Sequence, residues 1–383
     1  MCANALIDKR FFIGLDECTW LFTGAETPPH EAFVAQMEQY LIHRGHGPGG
    51  REKNSEIEQS CKRNVAALLK GRPENIAFLS NSSEIINMIA RSIAFEPGDN
   101  IVINNLEFPS GVLPALRLKE RGVEVRLVEH EQWRITAESV LNRVDRRTKL
   151  VIASHVSYLS GARLDYRRLY DQLRGTDALL LLDVTQSLGA VPVDMNYADF
   201  VVCSSYKWLL SVHGAGILGV NPERTAGLLP DATGWRCTPD MFSEKRFESF
   251  EYYPDARKFE TGYPSYPTLY TLEYSTKLLL DIGIERIERH ILELGGQMIE
   301  ALKERGYTVM TPEPPHLRAG NISVLCDDGE ALADELRRHR VYVWGGDGRL
   351  RASVHAFNDS KDIETFIKHL PYASGSRVAG GRR

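Results

Sequence analysis

Charged and hydroxyl side chains stand directly after two apolar, strand-like runs of the sequence. Asp183 follows the run ALLLL, and Lys207 follows FVVCSS, with Ser204 and Tyr206 beside it. An unpaired charge is costly to bury, so a carboxylate and an amine at such positions need partners. An amine held in a partly apolar pocket has a lowered pKa and attacks carbonyl carbons. Lys207 is therefore a candidate for forming a Schiff base.

Two further hydroxyl residues, Ser82 and Ser83, follow another strand-like run and open a helix. Hydroxyls beside the free N–H groups of a helix start make a site for an anion. Taken singly, the serines could be a helix cap, Asp183 a turn cap and Lys207 a surface lysine. Together they match pyridoxal phosphate (PLP), which needs donors for its phosphate, a carboxylate for its pyridine nitrogen and a lysine for its aldehyde.

The order of the predicted elements places these residues at one edge of a sheet. Strand-like runs cover residues 74–80, 100–105, 123–129, 149–156, 178–184, 200–205 and 215–220, and helix-like runs cover 83–94 and 111–122. Such alternation predicts an α/β fold with a mostly parallel central sheet and helices on both faces. Ligands of these sheets bind beyond the carboxyl ends of the strands, where the polar residues stand.

The sequence changes character after residue 260. A long helix-like stretch covers 268–306, followed by two short strand candidates and a closing helix at 362–370. We therefore expect a smaller α+β domain after the large one, and a disordered tail of small, polar and basic residues. The expected parts are an N-terminal segment packing with the small domain (1–20), a large PLP-binding domain (21–260), the small C-terminal domain (261–372) and the tail (373–383).

Composition limits the class of protein. The 383 residues are 43% hydrophobic and 25% charged, with a net charge of −5. The acidic balance argues against a nucleic-acid partner, and no apolar run reaches the roughly 18 residues that cross a bilayer. Six scattered cysteines without a CxxC pair argue against a zinc site and a disulfide framework. With no signal peptide indicated, we expect a cytoplasmic protein without membrane contact or a metal.

The motifs together resemble the class V aminotransferases of fold-type I, the group that includes cysteine desulfurases, kynureninases and isopenicillin-N-epimerase-like proteins. The most specific motif is ADFVVCSSYKWLLSVHGAGIL. Others in the same order are SNSSEIINMI, LEFPSG, SHVSYLSG, LLLDVTQSLGAVPVD, RKFETGYPS and LRASVHAFNDSKDI. The resemblance covers about residues 18–370 and implies a homodimeric, fold-type I PLP-dependent transferase.

The resemblance implies a role for each matched residue. It implies that Lys207 forms the internal aldimine and moves the α-proton, that Asp183 pairs with the pyridinium nitrogen and that Gln186 approaches the phenolic oxygen. Phe108 falls where the family stacks a residue on the cofactor ring. Arg351 falls where the family binds the substrate α-carboxylate, a task suited to guanidinium geometry. The implied phosphate ligands are Ser82, Ser83, Ser204 and Tyr206.

Two departures from the family pattern bear on the reaction. The family often has threonine in E-x-G-T-P, which reaches the phosphate of the neighbouring subunit; here that contact passes to Tyr263 or Ser265, or is lost. Desulfurases carry a nucleophilic cysteine shortly before the arginine, and the segment VYVWGGDGRLRAS has none. Cys326 is expected to be a buried thiol on a strand, and Cys237 to lie on a loop that could border the pocket.

Phe108 also replaces the histidine usual in desulfurases, so we predict that the chain is not a cysteine desulfurase. The predicted function is a PLP-dependent reaction on a small α-amino acid, of the class V aminotransferase type, through a quinonoid intermediate. A C–S lyase, a kynureninase-like β-hydrolase or an epimerase is an alternative, because these reactions share that intermediate. A PLP-binding protein without catalysis is a remote alternative. The glycine- and histidine-rich stretch 41–52 is predicted to be a mobile loop at the mouth of the active site.

Overall fold

The structure, a computed structural model, describes residues 3–373. The strands are β1 (Thr19–Trp20), β2 (Ile76–Leu79), β3 (Asn100–Asn104), β4 (Glu124–Val128), β5 (Thr148–Ser154), β6 (Leu179–Asp183), β7 (Phe200–Ser204), β8 (Gly216–Val220), β9 (Asn321–Leu325), β10 (Val341–Tyr342), β11 (Trp344–Gly346) and β12 (Arg349–Ser353). The helices are α1 (Ala32–Gly45), α2 (Pro48–Leu69), α3 (Ser82–Ser92), α4 (Pro109–Leu118), α5 (Ala137–Leu141), α6 (Tyr166–Leu173), α7 (Pro222–Thr225), α8 (Tyr266–Ile282), α9 (Ile284–Glu304), α10 (Gly329–Arg338) and α11 (Ser360–His369).

The central sheet has seven strands in the order β2-β8-β7-β6-β5-β3-β4. Strand β8 runs antiparallel to both of its neighbours, and the other pairings are parallel. The predicted mostly parallel α/β sheet is therefore confirmed. Strand β6 lies in the middle, and Leu180, Leu181 and Leu182 are fully buried. A strand covered on both faces needs apolar side chains on both, which explains the unbroken leucine run.

The carboxyl ends of the middle strands meet at one edge. Asp183 closes β6, and Ser154 is its partner at the end of β5. Strand β7 ends at Ser204, so Lys207 stands three residues beyond it, in the turn that leads to β8. Lys207 was predicted to follow this strand, and it does so at the same edge of the sheet as Asp183.

The N-terminal residues pack against the C-terminal part of the chain. Strand β1 pairs in parallel with β10, and the backbone N–H groups of Leu6 and Ile7 donate to the carbonyl of Ala356. Strands β11, β12 and β9 form a separate antiparallel sheet. Residues that precede the large sheet in the sequence are therefore packed with the C-terminal strands of the chain.

Two predicted elements differ from the structure, and both differences occur at glycines. The helix-like stretch 268–306 is two helices, α8 and α9, because Gly283 between them has a φ of 89°. The stretch 41–52 is not a loop: it is the junction of α1 and α2, where Gly47 has a φ of 57° and a proline opens α2. Residues 374–383 of the predicted tail lie outside the described residues. Within residues 3–373, no helix is long and apolar enough to cross a membrane.

Candidate active site

One cavity opens at the carboxyl ends of β6 and β7. It is lined by Asn81, Ser82, Ser83, Phe108, Ser110, Ser154, Tyr158, Asp183, Thr185, Gln186, Ser204, Tyr206 and Lys207. This lining holds all of the side chains that the sequence assigned to cofactor binding. Residues from three strand ends (β5, β6 and β7) and two helix starts (α3 and α4) therefore meet at the place where α/β sheets bind their ligands.

The start of α3 forms the hydroxyl-rich end of the cavity. The N-cap is Asn81, whose Oδ1 accepts from the backbone N–H of Glu84 at 2.9 Å, so the alternative of a serine cap is wrong. Ser82 Oγ lies 2.8 Å from Ser204 Oγ, and a second pair joins Ser83 to Ser110 at 2.7 Å. Because Asn81 caps the helix, these hydroxyls are left to turn toward an anion at its N-terminus.

Asp183 supplies the cavity's carboxylate. Its Oδ1 accepts a hydrogen bond of 2.8 Å from the backbone N–H of Thr185. Burial raises the pKa of Asp183, while hydrogen bonding to Thr185 and the positive charge of Lys207 act in the opposite direction. A cationic group bound beside this carboxylate would favour its ionised form further.

Lys207 supplies the cavity's amine and is 8% exposed. Its Nζ lies 5.4 Å from the ring centre of Phe108 and 5.6 Å from that of Tyr206. Burial lowers the pKa of Lys207 to about 8, the positive charge of Arg351 acts in the same direction, and Asp183 opposes both. The amine thus has a sizeable neutral fraction in mildly alkaline solution, the form that attacks carbonyl groups.

Gln186 connects three parts of the chain beneath the cavity. Its Nε2 donates to the carbonyl of Gly24 at 2.9 Å. Its Oε1 accepts from Trp208 Nε1 at 2.9 Å and from Asn321 Nδ2 at 3.0 Å. One hydrogen of the amide group is left for a ligand in the cavity, since an amide nitrogen carries two. The predicted contact with a phenolic oxygen stays a prediction.

Arg351 lies beside the cavity on β12 and is buried. Its Nη1 donates to the carbonyl of Tyr158, which lines the cavity, at 2.8 Å. Its Nε is buried with no hydrogen-bond partner among the described residues. Burial lowers the pKa of Arg351 to about 9, and the like charge of Arg349 adds to this effect. A buried guanidinium with an unpaired N–H group is suited to receive a carboxylate.

Two other predicted ligands, Tyr263 and Ser265, do not reach this cavity in the same chain. They line a different one, together with residues of α1 and α2. Tyr263 is 54% exposed, and Ser265 Oγ lies 2.9 Å from Thr268 Oγ1. These residues could contact a cavity that contains Lys207 only if that cavity belonged to a second subunit.

The cysteines considered as nucleophiles lie elsewhere. Cys237 is buried in its loop, and it does not line the cavity. Cys326 follows β9 and is partly exposed, so the expectation of a buried thiol on the strand is wrong. It sits beyond the last paired residue, Leu325, where the chain turns toward α10. All five cysteines within residues 3–373 are free thiols.

The sequence did not single out five of the lining residues: Asn81, Ser110, Ser154, Tyr158 and Thr185. All five stand inside the motifs quoted above, so their neighbourhood was a usable signal: SNSSEIINMI holds Asn81, LEFPSG holds Ser110, SHVSYLSG holds Ser154 and Tyr158, and LLLDVTQSLGAVPVD holds Thr185. Nothing in residue type alone separates them from other polar loop residues.

A sheet of this topology, with a buried lysine and a carboxylate side by side at its carboxyl edge, defines the fold-type I class of PLP-dependent enzymes. The chain belongs to the class V aminotransferase family, since the model for "Aminotransferase class-V" matches residues 19–366. PLP is the cofactor of this family, and the chain is accordingly a PLP-dependent enzyme.

Relatives and solved structures agree with this assignment. A probable cysteine desulfurase of Methanothermobacter thermautotrophicus is 28% identical over 376 residues, which cover 92% of this chain and 93% of the relative. The apo structure of a cysteine desulfurase from Thermococcus onnurineus superposes with a TM-score of 0.85 at 23% identity, covering 94% and 95% of the two chains. The cystine C–S lyase C-DES, solved with glycine covalently linked to its PLP cofactor, gives a TM-score of 0.87 at 18% identity, covering 94% and 98%. At these identities the two structures establish the fold.

Proposed function

We propose that this enzyme transfers the amino group of a small α-amino acid, using PLP attached covalently to Lys207. The observation that carries the proposal is the position of Lys207 Nζ in one cavity with Asp183 and the paired hydroxyls at the start of α3. The donor set fits the cofactor. The N–H groups and hydroxyls of Ser82 and Ser83 suit its phosphate, and Asp183 suits its pyridine nitrogen.

When bound, PLP supplies an aldehyde carbon and an electron-withdrawing ring that stabilises negative charge at the substrate Cα. The residues of the chain then have separate tasks. Lys207 Nζ, neutral above a pKa of about 8, takes and returns the proton at Cα. Arg351 fixes the α-carboxylate through its guanidinium and so orients the Cα–H bond. Phe108, at the N-cap of α4, gives the cavity an apolar wall whose ring centre lies 5.4 Å from Nζ.

A C–S lyase is the second candidate, and a specific observation favours it over a desulfurase. Among the described residues, none of those that line the cavity is a cysteine, so the lining offers no thiol to carry a persulfide. An elimination that releases its sulfur product directly needs no such thiol. The similarity in fold to a cystine C–S lyase supports the same candidate.

The proposed enzyme is a homodimer with each active site completed by the partner. Tyr263 and Ser265 stand where the family places the residue that reaches the neighbouring phosphate. They line a cavity open to solvent in the single chain, together with Tyr40, Arg44 and Arg51. A second copy of the chain would bring this segment to the cavity around Lys207.

The decisive experiment is reduction of the purified, yellow protein with borohydride, followed by peptide mapping. A pyridoxyl group on Lys207 is expected, and a label on another lysine or on none would contradict the proposal. Incubation with single amino acids then separates the reactions. Keto acid formed only in the presence of an amino acceptor indicates transamination. Pyruvate, ammonia and a sulfur product from cysteine or cystine indicate the lyase. Alanine and sulfide, abolished by Cys237→Ser, would instead indicate desulfurase chemistry.

A further inference from the structure

A second arginine, Arg349, stands two residues before Arg351 on β12. Alternate residues of a strand point to the same face, so both guanidinium groups lie on one side of the sheet. Arg349 is fully buried, and its Nη1 donates to Asp347 Oδ2 at 2.6 Å. Its Nε and Nη2 are buried with no hydrogen-bond partner among the described residues.

Aromatic rings connect Arg349 to the cavity. Its Cζ lies 4.2 Å from the ring centre of Trp344 and 5.0 Å from that of Tyr158. The same Trp344 ring lies 5.5 Å from the Cζ of Arg351. Tyr158 lines the cavity and contacts Phe108 edge-on at 5.2 Å. The two arginines and the cavity wall therefore form one continuous cluster.

The charges of this cluster are not balanced by the residues around it. Asp347 is the one carboxylate paired with the two guanidinium groups among the described residues, and its side chain is 64% exposed. Three guanidinium nitrogens, Nε and Nη2 of Arg349 and Nε of Arg351, are buried and have no hydrogen-bond partner within residues 3–373. Buried polar groups of folded proteins are nearly always hydrogen-bonded, so donors left over in this way indicate an anionic ligand.

We propose that Arg349 binds a second anionic group, at the end of the substrate side chain, so that the preferred substrate is an acidic α-amino acid. The inference rests on the proposed function, which gives the α-carboxylate to Arg351. The planar guanidinium of Arg349 offers Nε and Nη2 side by side, the geometry that pairs bidentately with a carboxylate or sulfinate. A substrate with an amide or a methyl group at that position would leave these donors unpaired.

The first test uses the unmodified holoenzyme and ligands that cannot react, since they lack an amino group. Succinate is compared with butyrate, which has the same number of carbons and a single carboxylate. Calorimetric titration and the shift in melting temperature both report binding. Succinate is expected to bind at least about tenfold tighter, since a hydrogen-bonded ion pair in a buried site is worth at least that factor. Equal affinities would overturn the inference.

The second test uses three variants. Arg349→Met removes the charge and keeps a long side chain, and Arg349→Lys keeps the charge without the planar, forked group. Arg174→Met removes an arginine that is 55% exposed at the end of α6 and does not line the cavity. Arg349→Met is expected to lower succinate affinity about tenfold or more and leave butyrate within about twofold. The succinate affinity of Arg349→Lys should lie between those of Arg349→Met and the parent, and the succinate affinity of Arg174→Met should equal that of the parent. Equal losses for both ligands would mean that Arg349 only supports Arg351, and would overturn the inference.

The two proposals fail in different ways. If Arg349→Met does not fold, the comparison of succinate with butyrate on the unmodified enzyme still decides. If Lys207 carries the pyridoxyl label and alanine or glutamine is converted as fast as aspartate or glutamate, the acidic-substrate inference is wrong and the proposed function stands. Absence of the pyridoxyl label at Lys207 contradicts the proposed function, regardless of the measured affinities for succinate and butyrate.

Discussion

At the scale of single residues, the amine of Lys207 lies between charges of opposite sign. Burial and the positive charge of Arg351 lower its pKa, and the carboxylate of Asp183 raises it. Arg351 therefore increases the fraction of neutral amine, and Asp183 decreases it. Their effects can be separated by substitution, because the two residues come from different sheets.

We predict that the cofactor-free protein captures PLP at a rate that rises with pH, with a midpoint near 8. The neutral amine is the reacting form, and its fraction increases as the pH passes the lowered pKa instead of the ordinary value of 10.5. Arg351→Met should move the midpoint up, because it removes a positive charge, and Asp183→Asn should move it down. The absorbance of the attached cofactor, followed over time, gives the rates. A midpoint above 10 in the parent, or shifts in the reverse order, would contradict the prediction.

At the scale of secondary-structure elements, Gly283 divides what the sequence presents as one long helix. It closes α8 with a φ of 89° and ψ of 123°, and its N–H donates to the carbonyl of Leu279. A Cβ at this position would meet no atom within 4 Å. The requirement for glycine is therefore one of backbone conformation and not of space.

We predict that Gly283→Ala lowers the free energy of unfolding by about 1–2 kcal/mol, the strain of an L-residue in this region. Gly296→Ala, inside α9, is the matched control. Its added methyl meets Arg318 Nη2 at an ordinary 3.5 Å, and alanine favours helix, so stability should stay level or rise by up to about 1 kcal/mol. Urea unfolding measures both. If both variants lost the same free energy of unfolding, the backbone conformation at Gly283 would not be the reason for the loss.

A buried ion cluster ties α2 to the segment that leads to Tyr263. Lys62 Nζ lies 2.6 Å from Glu260 Oε1 and 3.7 Å from Glu58 Oε1. Arg236 pairs with the same two carboxylates at 2.6 and 3.1 Å. Two cations and two anions are thus balanced within the fold, in contrast to the arginines of β12.

We predict that Lys62→Met lowers the free energy of unfolding by about 3 kcal/mol or more, because it leaves two buried carboxylates facing one cation. Lys277→Met is the control, since Lys277 makes an exposed ion pair with Asp281 within α8. Its denaturation midpoint should stay close to that of the parent. Circular dichroism in a urea series gives the comparison. A loss for Lys277→Met as large as that for Lys62→Met would rule out burial as the cause.

A strand or helix could be predicted from the sequence where its burial demands a characteristic pattern of residues, and not where it depends on backbone conformation or strand pairing. The strands of the large sheet were predicted to within a residue or two, because burial on both faces forces unbroken apolar runs such as Leu180–Leu182. The break at Gly283 was missed, because a glycine inside a periodic pattern does not reveal its φ. The sequence did not single out Arg349, because its position beside Tyr158 and Trp344 follows from the pairing of β12 with β9 and β11, which residue type does not encode. Asp183 and Lys207 were singled out as candidates because charge at a strand end is rare enough to be a signal, and their roles stay predictions.

At the scale of the whole molecule, we predict a homodimer of about twice the 43.1 kDa of the chain. The argument is that Tyr263 and Ser265 do not line the cavity of their own chain and lie beside α1 and α2, where Tyr263 is exposed and Ser265 is partly exposed. Light scattering measures the mass. Mixing a Lys207→Ala chain with a chain carrying Tyr263→Ala and Ser265→Ala should restore part of the activity, since one site of the hybrid is then intact. A stable, fully active particle of a single chain would contradict the prediction.

The pairing of β1 with β10 bears on how the chain folds during synthesis. Residues 19–20 leave the ribosome early, but their partners at 341–342 follow several hundred residues later. The large sheet, whose strands lie between residues 76 and 220, is complete well before then. Strand β1 must therefore wait for its partner strand until residues 341–342 have been synthesised. We expect β1 to dock after the large sheet has formed, and a nascent chain halted before residue 341 should present the N-terminal segment to chaperones.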